Sequence, residues 1–221
     1  MTTALELQTI ALREFTSAGY AGTSIQRIAD LAGVSKAAVL YHFSSKEELL
    51  TAAIEPALDE IETVLERLHR AGDQGDEEGV RAFVTEFVDF LLRRPLEVHL
   101  FINQSRSLRE IPAIARAESF MTGIAQYCQE RLDDPEDRVR VAIALAGSAY
   151  AIAASRDYGP FDGDAASSPA SEAATGPEPD GATAASAALI SSTGFEGEAV
   201  RTSLIQVMTE ILAPTSIARR S

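Results

Sequence analysis

The hydrophobic residues of this chain recur at helical spacing over most of its length. After residue 46, apolar side chains return every three or four positions in a series of segments bounded by proline or polar residues. The pattern predicts helices over about 50–68, 80–91, 96–108, 112–132, 135–158 and 195–212. No segment of useful length alternates apolar and polar residues as a half-buried strand does. We therefore predict an all-α fold.

Pro56 lies inside the first of these apolar stripes, between Ile54 and Leu58. Because proline has no backbone N–H, it is expected either to kink a helix or to divide it. The apolar stripe continues on both sides of Pro56, which favours the first of two interpretations. Pro56 marks a bend at which one connecting helix can reorient, or it is the first residue of a second helix.

Residues 23–50 place three helix starts close together. Each start carries a capping-type residue, and two have capping-box spacing: Thr23 with Gln26, Ser35 before an alanine-rich turn, and Ser44 with Glu47. Gly33 allows the tight turn between the first two of these helices. The segment is therefore predicted to be a helix-turn-helix.

The helix from Ser35 to about Phe43 is too short to be stable alone, so Val34, Val39 and Phe43 are expected to pack it against its neighbours. The remaining side chains face outward and suit DNA: Lys36, Ala37, Ala38, Tyr41 and His42. Alanine methyl groups can contact the methyl group of thymine, and Lys36 or Gln26 can reach a purine edge.

This segment resembles the DNA-binding domain of the TetR family of bacterial repressors, whose pattern is F…G…T…IA…AGVSKGTLYYHFxSKEEL. The matching residues cover about the first quarter of the chain: Phe15, Gly19, Tyr20, Thr23, Ile28, Ala29, 32–36, His42, Phe43 and 46–49. Order, spacing and residue type all agree. Two departures concern the DNA-facing surface. Ala37-Ala38-Val39-Leu40 replaces Gly-Thr-Leu-Tyr, which predicts more apolar base contacts, and residues 1–8 contain no Lys or Arg.

The resemblance implies an N-terminal three-helix DNA-binding domain in residues 1–45 and a helical domain for effector binding and dimerisation in residues 46–221. Phosphate contacts carry over to Thr23 or Ser24, Tyr41, His42 and Lys46, assisted by backbone N–H groups at helix starts. The expected DNA-binding set is Thr23, Ser24, Gln26, Ser35, Lys36, Ala37, Ala38, Tyr41, His42 and Lys46.

The net charge is unusual for a protein that binds DNA. There are 33 acidic against 19 basic residues, a formal charge of −14. Residues 1–50 carry four basic and five acidic side chains, a net charge of −1, so nearly all of the excess lies elsewhere. Both lysines of the chain, Lys36 and Lys46, belong to the helix-turn-helix. This distribution would orient the molecule in the field of DNA.

The remaining composition favours a cytoplasmic protein. The single cysteine, Cys128, excludes an internal disulfide, and no secretory signal opens the chain. The longest charge-free helical stretch, residues 141–155, is too short to span a bilayer. With three histidines and no ligand spacing, we expect no metal site, and nothing indicates a cofactor or an enzyme.

Residues 159–194 differ from the rest of the chain. Ala, Ser, Gly, Pro and acidic residues dominate this tract, and no Lys or Arg occurs from 157 to 200. It is predicted to be a disordered loop, since it cannot bury enough apolar surface to offset the entropy of ordering. A tolerated surface insertion is favoured over a role in gating a ligand or contacting a partner.

The helices on either side of this tract are the predicted dimerisation surface of a homodimer. Small residues permit close approach of two helices: Ala142, Ala146, Gly147, Ser148 and Ala149. The alternative is that both helices only close the core of the monomer. Two DNA-binding units related by a twofold axis would address a palindrome.

The middle helices carry the candidate residues for a small-molecule effector. The selected set combines aromatic and polar side chains, namely Phe87, His99, Asn103, Tyr127 and Tyr150. Aromatic stripes at this spacing are also typical of an ordinary core. Two functions therefore stay open: a ligand-responsive repressor that binds double-stranded DNA, or a helical ligand-binding or interaction protein whose DNA-binding unit has degenerated.

Overall fold

The computed structural model describes residues 2–74, 77–154 and 198–212, without the side chains of residues 77 and 80. These ranges contain nine helices and no strand, which confirms the all-α prediction. The helices are α1 (Ala4–Ser17), α2 (Ile25–Leu31), α3 (Lys36–His42), α4 (Lys46–Gln74), α5 (Glu77–Arg93), α6 (Pro95–Leu108), α7 (Pro112–Arg131), α8 (Pro135–Ala154) and α9 (Glu198–Leu212).

Short polar side chains start the first helices, but not always the ones that the sequence indicates. Thr3 caps α1 in a reciprocal capping box with Glu6. Ser35 caps α3 as predicted, with Oγ accepting from the N–H of Ala38 at 3.1 Å. The other two predicted caps, Thr23 and Ser44, each lie one residue before the residue that caps the helix. Ser24 caps α2, and Ser45 Oγ accepts from the N–H of Glu48 at 3.0 Å at the start of α4.

The connecting helix α4 is continuous over 29 residues, with Pro56 inside it. The interpretation of Pro56 as the first residue of a second helix is therefore wrong. One face of α4 is buried on both sides of the proline, from Leu49 to Leu68. The helix thus remains intact although the ring removes one backbone donor, because its apolar face packs along its length.

Two hydrophobic clusters share α4. The N-terminal cluster combines α1–α3 with the first turns of α4, around Leu7, Phe15, Ile28 and Val39, none of which exposes more than 1% of its surface. Side chains from α6 and α7, including Leu100, complete it. The second cluster lies among α4, α5, α6, α7, α8 and α9. The N-terminal helices are therefore packed directly on the helices that follow them, while the predicted domain division at residue 46 stays a prediction.

Prolines lie at the starts of α6, α7 and α8, and the starts at residues 112 and 135 confirm the predicted ones. Pro95 and Pro112 occupy the first turn of α6 and α7, where a missing N–H removes no helical hydrogen bond, and Pro135 begins α8. Within the described ranges, no helix is both long enough and apolar enough to cross a membrane. The predicted disordered tract, 159–194, lies outside the described residues.

Candidate nucleic-acid interface and ligand cavity

Helix α3 has one buried and one exposed face. Val39 is completely buried and Phe43, which ends the helix, is 5% exposed. Tyr41 is 86% exposed, and its ring contacts that of His42 edge to face at 5.4 Å between centroids. Lys36 and Ala37 are also exposed, whereas Ala38 is half-buried. The side chains predicted to face outward therefore form a surface, and the exposed Leu40 adds an aliphatic group to it.

The turn between α2 and α3 depends on one glycine. Gly33 adopts a positive φ of 64°, which is strained for residues that carry a Cβ atom. Its N–H donates to the carbonyl of Asp30, and the N–H of Val34 donates to that of Ala29. This tight connection sets the crossing of α2 and α3, and it confirms the turn predicted at Gly33.

Thr23 and Ser24 have different roles. Thr23 is 2% exposed, and its hydroxyl donates to the carbonyls of Gly19 at 2.8 Å and Glu14 at 3.3 Å. Ser24 is exposed at the start of α2, where its Oγ accepts from the N–H of Arg27. Thr23 and Ser24 were alternatives for one phosphate contact, and of the two only Ser24 is at the surface. Thr23 instead fixes the loop between α1 and α2.

Lys46 also holds this loop. Its ammonium group donates to the carbonyl oxygens of Tyr20 at 2.7 Å and Thr23 at 2.9 Å, and lies 4.1 Å from the centroid of the Tyr20 ring. Burial lowers the pKa of Lys46 and raises that of Tyr20. Two of the three ammonium donors of Lys46 therefore join the loop to α4, which leaves one for a phosphate.

Two further polar residues of α2 lie at the edge of this surface. Gln26 is exposed, and its Nε2 donates to Asp30 at 2.7 Å, so an approach to a base would exchange this hydrogen bond. Arg27 pairs with the buried carboxylate of Glu14 at 3.1 Å. Both side chains therefore already bond to other residues of the protein. The cation on the surface of α3 is the exposed Lys36.

The side chain of Gln104 joins α6 to the end of α1. Its Oε1 accepts from the N–H of Tyr20 at 2.9 Å, and its Nε2 donates to the carbonyl of Phe15 at 2.8 Å. Gly19 lies beside this amide in a positive-φ conformation. Both polar ends of one side chain are thus satisfied by backbone groups of α1 and of the loop that follows it. No pattern in the sequence indicated this contact, because the partners are 84 and 89 positions apart.

A cavity of about 360 Å³ lies among α4–α8. Its wall is mostly aliphatic and aromatic, and is lined by Ile54, Ala57, Leu58, Ile61, Phe87, Phe90, Leu91, Glu97, Val98, Leu100, Phe101, Ile102, Ile114, Ala117, Phe120, Met121, Ile124, Ala146, Ala149 and Tyr150. Met121 and Ala146 are exposed and mark where the cavity meets the surface. Its size lies within the range of small-molecule sites.

Glu97 is the charged residue of this wall. Its side chain is 13% exposed, and its Oε1 lies 3.5 Å from Nη1 of Arg94. Burial raises the pKa of Glu97 despite that arginine. Arg94 also donates to Glu60 at 2.8 Å, and Arg93 contacts the other oxygen of Glu60 at 2.6 Å. Burial opposes the ionisation of Glu60, but these hydrogen bonds outweigh it and lower the pKa.

Two of the five predicted ligand residues line this cavity, namely Phe87 and Tyr150. The other three lie elsewhere. His99 Nδ1 is 3.0 Å from the carbonyl oxygen of Ala153, Asn103 is exposed and donates to the carbonyl of His99, and Tyr127 packs on the ring of His69. These three residues do not line this cavity, and their role in ligand binding stays a prediction. Glu97 was not among the predicted residues, and its only signal in the sequence is an acidic residue in a mostly apolar stretch.

The predicted dimerisation surface is partly exposed. On α8, Ala142, Ala146 and Gly147 are exposed, and Val139 and Ile143 expose 56% and 59% of their surface. On α9, Val207 is 50% exposed. Two of the predicted residues lie elsewhere: Ser148 is buried with its hydroxyl bonded to Ala144, and Ala149 lines the cavity.

Comparison with known proteins concerns chiefly the N-terminal segment. Residues 9–53 match the profile of bacterial regulatory proteins of the tetR family. The chain is 49% identical over 49 residues to the HTH-type transcriptional regulator RutR of Escherichia coli, covering 22% of this chain and 23% of RutR. It is 39% identical over 67 residues to the HTH-type transcriptional regulator TtgR of Pseudomonas putida, covering 30% of each. The matches thus span less than a third of either relative.

Two solved structures align over nearly the whole chain. One is a transcriptional regulator from Rhodococcus sp. Rha1, with 20% identity and a TM-score of 0.49 over 97% of this chain and 98% of that one. The other is a TetR/AcrR-family regulator from Thermobifida fusca, with 23% identity and a TM-score of 0.44 over 96% of each. The likeness to the bacterial regulatory proteins of the tetR family is thus carried by residues 9–53.

Proposed function

We propose that the chain is a cytoplasmic, ligand-responsive transcriptional repressor that binds a palindromic operator as a homodimer and is released by a small molecule. The observation that carries the proposal is the exposed face of α3, held on a buried core by Val39 and Phe43, within the tetR-family segment. A short helix fixed from behind, with a cation and an aromatic hydroxyl on its free side, suits insertion into a major groove.

The exposed groups divide into two roles on DNA. Lys36, Ala37 and Ala38 begin α3, and in a helix-turn-helix the first residues of this helix meet the base edges. Other residues surround them as candidates for phosphate or additional base contacts, namely Ser24, Gln26, Ser35, Tyr41 and His42. Thr23 and Lys46 act mainly by holding the loop between α1 and α2, so their effect on DNA binding is largely indirect.

The homodimer is supported by the exposed apolar positions of α8 and α9. Val139, Ile143 and Gly147 follow one another at helical spacing on α8, with Val207 on α9. Burying these aliphatic groups between two subunits removes them from water, and the small residues between them allow close helix contact. A twofold axis through this surface would present two copies of α3 to the two halves of a palindrome.

Helix α6 supports a coupling between ligand and DNA. Val98, Phe101 and Ile102 line the cavity, and Gln104, on the same helix, binds the backbone at the end of α1. A ligand that prefers a shifted position of α6 would move this contact and thereby the DNA-binding helices. The ligand changes DNA affinity only to the extent that it binds the two arrangements with different affinity.

The test is a DNA-binding titration with the DNA upstream of the gene, at several salt concentrations. The proposal predicts an affinity that falls as salt rises. Ala37→Glu places a negative charge on the α3 face and is expected to weaken binding at least about tenfold, a loss of about 1.4 kcal/mol. The matched control, Ala125→Glu, changes an exposed alanine of α7 and is expected to leave affinity within about twofold. A folded dimer with no affinity at low salt would instead favour the degenerate DNA-binding unit.

A further inference from the structure

The cavity among α4–α8 has an almost entirely apolar wall. Eighteen of its twenty lining residues are aliphatic, aromatic or methionine side chains, and the two others are Glu97 and Tyr150. Filling such a space with hydrocarbon removes apolar surface from water on both the ligand and the wall. A polar or charged group placed against the apolar part of this wall would lose its hydration without gaining partners.

The charge at the edge of the cavity is already balanced. Two carboxylates, Glu60 and Glu97, meet two guanidinium groups, Arg93 and Arg94, in one continuous group of ion pairs. A cationic ligand would have to compete with Arg94 for Glu97. An anionic ligand would lie near the carboxylate of Glu97. It could form an ion pair with Arg94 only by displacing Glu60 and Glu97 from that guanidinium group. Either ligand therefore leaves one charge without its partner, which is strongly unfavourable in a buried place.

We propose that the effector of this protein is an uncharged, largely hydrocarbon molecule whose single polar group binds the hydroxyl of Tyr150. Tyr150 lies on the cavity wall and is the one residue of this lining that carries a hydroxyl group. This proposal rests on the proposed function only in that the bound molecule acts as an effector. The binding itself is measured on the full-length protein without DNA, so its outcome is independent of DNA recognition.

The experiment uses a neutral fluorescent probe, N-phenylnaphthylamine, whose emission rises in apolar surroundings. Saturable binding is expected, followed by displacement with three molecules that share one alkyl chain: decanol, decanoate and decyltrimethylammonium, all below their micelle concentrations. Decanol should displace the probe at a concentration at least about tenfold lower than either ion, because each ion must bury a charge that lacks a partner. Either ion displacing the probe as well as decanol overturns the proposal.

Two variants assign the binding to this cavity. Ala117→Trp fills it from α7 and is expected to weaken probe binding at least about tenfold. The matched control, Ala125→Trp, lies on the exposed side of the same helix and should bind like the parent protein. Unchanged binding in Ala117→Trp would place the probe elsewhere and refute the proposal.

Tyr150→Phe keeps the shape of the cavity and thus tests the hydroxyl even if Ala117→Trp fails to fold. One lost hydrogen bond should weaken decanol about three- to tenfold. An unchanged decanol affinity would overturn the assigned role of Tyr150. DNA affinity, measured in parallel on the same samples, reports separately on the proposed function.

Discussion

Gln104→Met removes both hydrogen bonds that join α6 to the end of α1 while keeping most of the length of the side chain. In the native protein, the amide accepts from the N–H of Tyr20 and donates to the carbonyl of Phe15. Methionine offers neither group, so both backbone atoms lose their partner. The variant therefore tests whether this contact holds the DNA-binding helices on α6.

The magnitude follows from the two bonds and their surroundings. A neutral hydrogen bond contributes about 0.5–1.5 kcal/mol net, so the pair is worth about 1–3 kcal/mol. The side chain of Gln104 is half-buried, and water can replace part of what is lost. We therefore expect a free energy of unfolding about 1–2 kcal/mol lower, which for a protein of this size corresponds to a melting temperature about 2–8 °C lower.

Two measurements check this expectation. Thermal unfolding gives the change in melting temperature, and amide hydrogen exchange at Tyr20 reports the lost bond directly. A decrease of about 1–2 kcal/mol should accelerate exchange at that amide by about 5- to 30-fold. Asn103→Met is the matched control, since Asn103 is the preceding residue of α6, is exposed, and bonds within its own helix to the carbonyl of His99.

The expected effect is local to the end of α1. Exchange at Tyr20 should accelerate in Gln104→Met and stay near the parent value in Asn103→Met. Equal melting temperatures for the two variants, together with unchanged exchange at Tyr20, would refute the idea that Gln104 holds the DNA-binding helices.

Four further variants have definite expectations. Lys36→Ala should change discrimination among operator sequences by about 1–3 kcal/mol, and titrations on substituted operators that show a uniform loss would contradict the assigned base contact. Lys46→Met should lower the melting temperature in a thermal scan, since two loop carbonyls lose a charged donor. Pro56→Ala should preserve the fold but alter effector-dependent release from DNA, and an identical response would exclude a coupling role. Arg201→Met should slightly lower the free energy of unfolding in denaturant near neutral pH, because the hydrogen bonds of Arg201 lower the pKa of Asp89. That contribution is complete above the unfolded value of 3.8 and is lost as pH falls through the lower folded pKa, so the deficit should disappear in acid.

Local signals predicted most of the helices. Apolar periodicity and the prolines at 112 and 135 placed the starts of α7 and α8, because proline fits the first turn of a helix and disrupts later ones. Pro56 lies inside α4, which excludes the alternative of a helix start there and leaves the predicted bend a prediction. There the buried face continues past the proline, and packing over 29 residues outweighs one lost hydrogen bond.

The capping residues show a second limit of local patterns. Thr23 and Ser24 both have hydroxyl groups suited to a helix start, and the sequence favoured Thr23 because Gln26 follows at capping-box distance. Ser24 is the cap in the structure, since the hydroxyl of Thr23 is buried against the carbonyls of Glu14 and Gly19. The carbonyl groups of α1 and of the loop after it bind the hydroxyl of Thr23, and Ser24 is therefore the residue that caps α2.

The sequence by itself determined the all-α fold, the helix-turn-helix and the outward set on α3, because each depends on residues within one or two helical turns of one another. Tertiary structure alone decided the cavity and the contact of Gln104 with α1. The cavity wall takes side chains from five helices, and only their packing distinguishes Phe87 and Tyr150, which line it, from Tyr127, which does not. Gln104 meets partners more than 80 positions away, a proximity that exists only once α6 lies on α1.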